Sequence, residues 1–314
     1  MRERVFNPNL IVPAGTEVVA RVAVRTLGGE RTLPRGAVGV IVEAPLDASH
    51  RYRVRFPDGA EAMLRRQELA ILKHVQRWGL ERVGGVLEDY NLYDFVIYRC
   101  VLGSRAYGLA DEDSDTDRRG IYLPPAELHW SLYGVPEQLE NGETEEAYWE
   151  LQKFLTLALK ANPNILECLY SPLVEHATPL AEELLAMRDA FLSRLVYQTY
   201  NGYVLSQFKR IEQHRRNNEG AIKWKHPMHL IRLLIAGIRT LREGAVPVHV
   251  GEHRDALLKI RRGELSWDEV NAWRLRLHAE FDDALRETVL PERPDYERAN
   301  AFLIRARRSM VRGN

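Results

Sequence analysis

A short stretch near the middle of the chain carries the residues best suited to chemistry. Gly103-Ser104 is followed, after ten intervening residues, by Asp115-Thr116-Asp117. In an extended segment, alternation puts Asp115 and Asp117 on one face and turns Thr116 away. Two carboxylates so close repel each other unless a divalent cation lies between them. Hard oxygen ligands of this kind suit Mg²⁺ or Mn²⁺ carrying a phosphate. Gly103 permits close backbone approach, and the Ser104 hydroxyl with nearby amides suits phosphate oxygens. Each half of this pattern is common by chance. The combination at this spacing, after one strand and before another, is specific.

The flanking segments supply elements to hold these residues. Phe95 to Leu102 is a nearly continuous apolar run, expected as a buried strand that leads directly into Gly103-Ser104. Arg119 to Leu123 reads as a second strand ending at Pro124-Pro125, and Glu145 to Trp149 as a third. A helix is expected from Leu151 to Ala161, stopped by Asn162-Pro163. From Thr178-Pro179 onward the pattern is helical, through Met228 to Arg242 with Gly244 as terminator. Ser266 with Glu269 forms a capping box for a helix from Trp267 to about Leu285, and Tyr296 to Val311 is a basic amphipathic helix. Trp149, Trp267 and Trp273 fall at core spacing.

The first 75 residues follow a different rhythm, that of short strands: Thr16 to Thr26, Val38 to Glu43, Arg51 to Phe56 and Glu61 to Leu64. Asp58-Gly59 marks a hairpin, and Arg65 to Leu69 a single helical turn before a last strand at Ile71. This region resembles small SH3-like barrels of the KOW or Tudor kind. A helix and turn are expected over 76–92. The fold class is therefore α+β, with an SH3-like β-barrel at 1–75, an α/β domain at 76–175 and a helical domain at 176–314.

Composition narrows the function classes. With 314 residues, 45% hydrophobic and 28% charged, the chain has the make-up of a globular protein of two or three domains. The longest apolar runs fall far short of a membrane span, and the N-terminus lacks an apolar signal segment, so no membrane partner and a cytoplasmic location are expected. Cys100 and Cys168 sit in apolar stretches without zinc-ligand spacing and read as buried thiols. A net charge of zero conceals two opposed regions. Residues 111–150 hold twelve acidic against two basic residues, and residues 205–262 hold thirteen basic against five acidic. Within the basic region Lys225, His229 and Arg232 stand at helical spacing on one face. Such cations suit a triphosphate opposite the carboxylates, with solvation of an ordinary basic face as the alternative. His214 to Asn218 reads as a loop reaching the same cleft. Arg105 and Tyr107 are placed to touch phosphate or base, with packing an equal alternative for Tyr107. Arg118-Arg119 reads first as a source of salt bridges to the nearby acids.

The Gly-Ser and Asp-x-Asp pattern resembles the signature of the DNA polymerase β-like nucleotidyltransferase superfamily. Gly103 to Ala110, then Ser114-Asp115-x-Asp117-x-Arg119-Gly120, looks like the RlaP group, named for its association with RNA ligase and RNA repair. Leu151 to Leu155, Ala161 to Glu167, and Lys223 to His226 with His229 and Arg232 fit the same group, so the resemblance covers about 93–265. It implies metal-dependent transfer of a nucleoside monophosphate from an NTP, with release of pyrophosphate. A third carboxylate is implied on a later strand, as ligand and general base: Glu145 first, with Glu146, Glu143 or a missing acid as alternatives. The expected site is thus Asp115, Asp117 and Glu145 holding two Mg²⁺ or Mn²⁺ ions, with Gly103, Ser104, Arg105, Lys225, His229 and Arg232 on the nucleotide. The expected acceptor is RNA; a protein or small-molecule hydroxyl and an inactive NTP- or RNA-binding module are the alternatives.

Overall fold

Alternation of apolar and charged residues builds the first part of the chain. The computed structural model describes residues 12–29, 31–45, 50–72, 90–112, 114–132, 134–217 and 221–311. They belong to two compact units, residues 1–89 and 90–314, of mixed α+β structure. In the first unit lie β1 (Glu17–Ala20), β2 (Val24–Arg25), β3 (Thr32–Leu33), β4 (Val38–Glu43), β5 (Tyr52–Arg55), β6 (Glu61–Leu64) and β7 (Leu69–Ile71). Tyr52 and Val54 of β5 are buried while Arg53 and Arg55 face solvent, as the period of two requires. Gly59 takes φ +83° in the turn, and the Asp58 carboxylate accepts the Ala60 N–H. The expected single helical turn is a 3-10 turn at Arg66–Glu68.

The sheet order β6-β5-β4-β1-β7 leaves β6 and β7 at opposite edges, without pairing between them. The expected barrel is therefore not closed. Its physical reason is at the β6 edge, where the Glu61 carbonyl accepts the Leu27 N–H from the β2–β3 hairpin, not a donor from β7. Most of the expected helix at 76–92 lies outside the described residues.

The second unit begins with β8 (Val96–Leu102), α1 (Gly103–Tyr107) and β9 (Asp117–Tyr122). There follow α2 (Ala126–Trp130), β10 (Gln138–Asn141), β11 (Glu146–Glu150), α3 (Leu151–Leu159), α4 (Pro163–Tyr170) and β12 (Val174–Ala177). The sheet order is β10-β11-β9-β8-β12, and β9 with β11 is its parallel pair. At Gly120 the β8 backbone comes so close that a Cβ would lie 1.9 Å from the Tyr98 carbonyl oxygen. α3 ends at Leu159, two residues before the expected Ala161, which takes a left-handed φ of +51°; Asn162-Pro163 starts α4, where Asn162 Oδ1 accepts the Ile165 N–H and Pro163 fills the first turn.

Helices α5 (Pro179–Ala186), α6 (Leu195–Asn217), α7 (Lys225–Glu243), α8 (Arg254–Arg262), α9 (Trp267–Glu287) and α10 (Tyr296–Ser309) complete the unit. Thr178 caps α5, the Ser266–Glu269 capping box starts α9, and Gly244 ends α7 in a left-handed conformation. His214 to Asn217 form the last turn of α6, which corrects the expected loop; Asn218 lies outside the described residues. One core runs from Cys100 and Ile121 in the sheet through Phe154 and Leu166 to Tyr200, Leu234, Phe281 and Phe302. The boundary expected at 175–176 thus falls inside a continuous core, because the helices cover a sheet face that would otherwise meet water. Val96, Tyr122, Leu139 and Tyr148 form a small cluster apart from that core. Both cysteines are free and buried. Among the described residues no helix is long and apolar enough to cross a membrane.

Candidate active site

A cavity of about 680 Å³ opens in the second unit between the edge of the sheet and the helices. Its sheet wall is set by strand register. Leu102, the last residue of β8, pairs with Asp117, the first of β9, so the chain turns into α1 directly beside the Asp117 carboxylate. Gly103 takes φ +67°, and a Cβ there would lie 2.0 Å from Asp117 Oδ2. Glycine is required twice over, by the backbone angle and by the carboxylate. Gly103, Ser104, Asp115 and Asp117 all line the cavity, Asp115 exposed and Asp117 half-buried.

The expected strand begins two residues early, so Asp117 belongs to β9 and Asp115 precedes it in the loop. That loop is pinned. The Ser114 hydroxyl donates to Asp111 Oδ1 at 2.5 Å, and the Arg105 guanidinium donates to the Ser114 carbonyl at 2.7 Å. From α8, Arg261 donates to the Leu109 carbonyl at 3.0 Å and to Asp111 Oδ2 at 2.9 Å. The Ser114 hydroxyl, aided by Arg261, holds the Asp111 carboxyl below its usual range. Arg105 is exposed and its guanidinium is spent on this loop; it does not line the cavity.

Glu145 and Glu146 line the cavity and Glu143 does not. Partnered residues of neighbouring strands share a face, so Ala147 lies with Arg119 and Trp149 with Ile121. Glu146 alternates with them and shares the face of Tyr148, which packs in the small separate cluster. Glu145 precedes β11 with a left-handed φ of +52°, and its carbonyl accepts the Arg118 N–H at 3.1 Å. Among the described residues no three His, Cys, Asp or Glu side chains come together as a metal-holding group. Trp149, expected only as core, packs against Phe154 and also faces the cavity.

The helical wall carries Lys225, Met228 and His229 from α7 and Asn164 from the first turn of α4. Burial, reinforced by Arg232 and Lys225, pushes the His229 pKa down to about 4, so its imidazole is neutral near pH 7. Arg232, expected beside them on the nucleotide, lies deeper and does not line the cavity. Its guanidinium donates to Glu167 Oε1 at 2.6 Å and sits 3.8 Å from the Tyr107 ring centroid. The Tyr107 hydroxyl donates to Glu167 Oε2 at 2.6 Å; this aromatic is buried and also lines the cavity. A buried carboxylate requires such a partner, which is why Arg232 is drawn inward.

A family model described as RlaP, the RNA repair pathway DNA polymerase beta family, matches residues 81–305. The chain belongs to this family. Among curated proteins it is similar to "Uncharacterized protein YcgL" of Bacillus subtilis, 30% identical over 158 residues, which are 48% of this chain and 58% of the relative. It is also similar to "Uncharacterized protein MJ0002" of Methanocaldococcus jannaschii, 27% identical over 154 residues, which are 47% of this chain and 61% of the relative. The chain thus spans about three-fifths of the length of these relatives. The RlaP match takes in every cavity-lining residue named above. Sequence reasoning missed Arg261, Asn164 and the Asp111–Ser114 clasp. Arg261 had no signal beyond its place in the basic region 205–262, because its role depends on α8 folding back onto the 109–114 loop.

Proposed function

We propose that this RlaP protein transfers a nucleoside monophosphate from an NTP to a hydroxyl of RNA, releasing pyrophosphate. The carrying observation is the seating of Asp117 against Gly103 in one cavity that Asp115, Lys225, His229 and Arg261 also line. The donor set fits a divalent cation. Mg²⁺ is commonly held by one or two carboxylates plus substrate phosphates, so the pair Asp115 and Asp117 suffices without a third protein ligand. In this reading Asp115 and Asp117 hold Mg²⁺ or Mn²⁺, two ions being the form that Glu145 would complete. The bound cation would neutralise the triphosphate and favour in-line attack at the α-phosphorus.

The protein's own groups do the rest. Ser104 and Lys225 orient the phosphates, and neutral His229 serves as a hydrogen-bond partner, not as a charge. In this reading Glu145, which lines the cavity just before β11, accepts the proton of the attacking hydroxyl. Trp149 and Met228 offer apolar surface beside these polar groups. The N-terminal unit, with its 3-10 turn before the last strand, is read as an SH3-like module appended to the transferase.

RNA is favoured over a small acceptor by the charge around the cavity. Lys223, Lys225 and His226 at the start of α7 lie near Arg210 and His214 of α6. Burial first, and then these four neighbours, hold the His226 pKa below its usual value. A basic face leading to the cavity suits a strand of phosphates.

The test is an incorporation assay with each α-labelled NTP, Mg²⁺ or Mn²⁺, and RNA oligonucleotides. Asp115→Ala with Asp117→Ala serves as the blank. Label on RNA that the double variant loses supports the proposal and names the nucleotide. Label on protein, or pyrophosphate without labelled RNA, moves the acceptor to another hydroxyl. Equal inertness of both proteins with NTP still bound makes this a binding module.

A further inference from the structure

Arg119 is a cation set into the acidic wall. It lies on β9 two residues beyond Asp117, half-buried, and lines the cavity. Its Nη2 donates to Asp117 Oδ1 at 3.0 Å. Its Nη1 donates to the Glu145 carbonyl at 2.6 Å and to the Arg118 carbonyl at 2.8 Å. Of the two Asp117 oxygens, Oδ1 accepts from the guanidinium and Oδ2 lies against Gly103. The same fork reaches across to β11 and holds the backbone of Glu145, the residue with the left-handed φ. Lysine could match the charge but not the span, because only guanidinium presents several N–H groups in a fixed plane.

We propose that Arg119 is the resident counter-ion of Asp117, which a divalent cation must displace from Oδ1, and that its grip on the Glu145 carbonyl positions that acid. The proposal rests on the nucleotidyl-transfer reading of the site. Its physical basis is competition. Without a cation, Asp115, Asp117 and Glu145 line one cavity with their negative charge, and Arg119 is the cation bonded to Asp117. An entering Mg²⁺ or Mn²⁺ competes for the same oxygen lone pairs and is repelled by the guanidinium until it moves. Arg119 is thus a positioning residue that restrains the acids before the cation arrives. A purely structural ion pair would behave in the opposite way: removing it would loosen Asp117 and weaken cation binding or leave it unchanged.

The experiment is a Mn²⁺ titration of the full chain, with free Mn²⁺ read by its electron paramagnetic resonance signal. Wild type, Arg119→Gln, Arg119→Lys and the Asp115→Ala, Asp117→Ala double variant are compared, with circular dichroism confirming the fold. Arg119→Gln is expected to bind Mn²⁺ up to about fivefold more tightly than wild type, the factor that one partly exposed ion pair is worth. Arg119→Lys keeps the charge and is expected near wild-type affinity. In the incorporation assay both are expected to lose turnover, because neither spans to Glu145. Equal or weaker Mn²⁺ binding by Arg119→Gln overturns the counter-ion role alone. Mn²⁺ binding that is absent from wild type and Arg119→Gln alike, or that persists in the double variant, overturns the cation reading of the site and the Arg119 proposal with it.

Discussion

The two walls of the cavity are built by different rules. On the sheet wall, register fixes which residues meet: Leu102 opposite Asp117, Arg119 opposite Ala147. A strand residue points to one face or the other, so face and depth are decided together. On the helical wall Lys225, His229 and Arg232 share a face of α7, yet they sit at three depths. Lys225 is exposed, His229 is mostly buried with a depressed pKa, and Arg232 is committed to Glu167 beneath the cavity. Helical spacing gives direction but not distance from the axis of the core. A cation one turn too deep becomes a structural ion pair.

The largest expected effect falls on the sheet wall. Gly103→Ala forces an L-residue into φ +67° and drives a Cβ into the space of Asp117 Oδ2, so the carboxylate must turn away. Incorporation is expected to fall by about a hundredfold or more, the usual consequence of misplacing a reacting group by about an ångström. Gly59→Ala is the control, with φ +83° but nothing within 4 Å of the added carbon. It should cost roughly 1 kcal/mol of stability from strain alone and leave turnover intact. Equal turnover in both variants would mean that the Gly103–Asp117 contact has no functional weight.

Next comes the contrast within α7. Arg232→Ala leaves Glu167, which is fully buried, without its charge partner and also strips the Tyr107 ring of its cation. A loss of about 3–5 kcal/mol is expected in denaturant unfolding. Lys225→Ala, on the exposed end of the same face, should change stability by less than about 0.5 kcal/mol while raising the KM for NTP. If Lys225→Ala destabilises as much as Arg232→Ala, the sorting of these cations by depth is wrong.

Much of this arrangement was legible in the sequence, and the failures have a common origin. β6 spans Glu61–Leu64 and β8 ends at Leu102 as expected, because alternation and continuous apolar runs are local signals. The caps at Thr178, Ser266 and Gly244 were legible for the same reason. β10 and β12 were not anticipated, since each is a four-residue edge strand with at most one buried side chain. Closure of the N-terminal barrel was expected from strand rhythm, but closure is decided by which strand takes the last edge. At the site, Gly103 and Asp117 were singled out by residue type and spacing, but the contact of the glycine with the carboxylate was not legible, because it depends on the register that sets Leu102 opposite Asp117. Nor was the inward turn of Arg232, because its cause, Glu167, lies sixty-five residues away and becomes a neighbour only when α4 packs on α7.

The smallest effect probes His229, where the walls meet in electrostatics. Its pKa of about 4 in the folded chain lies below the usual value of 6.5, with burial as the main cause. Between those two values the unfolded chain binds the proton that the folded chain refuses. Stability is therefore full above about pH 6.5 and falls as pH drops towards 4, by up to about 3 kcal/mol at the low end. His226 and His278 are lowered in the same direction by burial, so they add to the slope. His229→Gln keeps a polar, uncharged side chain and should remove part of the loss between pH 6.5 and 4, leaving stability at pH 7.5 within about 1 kcal/mol of wild type. Urea unfolding at half-unit pH steps measures the slope. An unchanged slope in His229→Gln would mean that the imidazole is solvated and charges freely, and the helical wall would then carry one more cation facing the carboxylates than the present geometry allows.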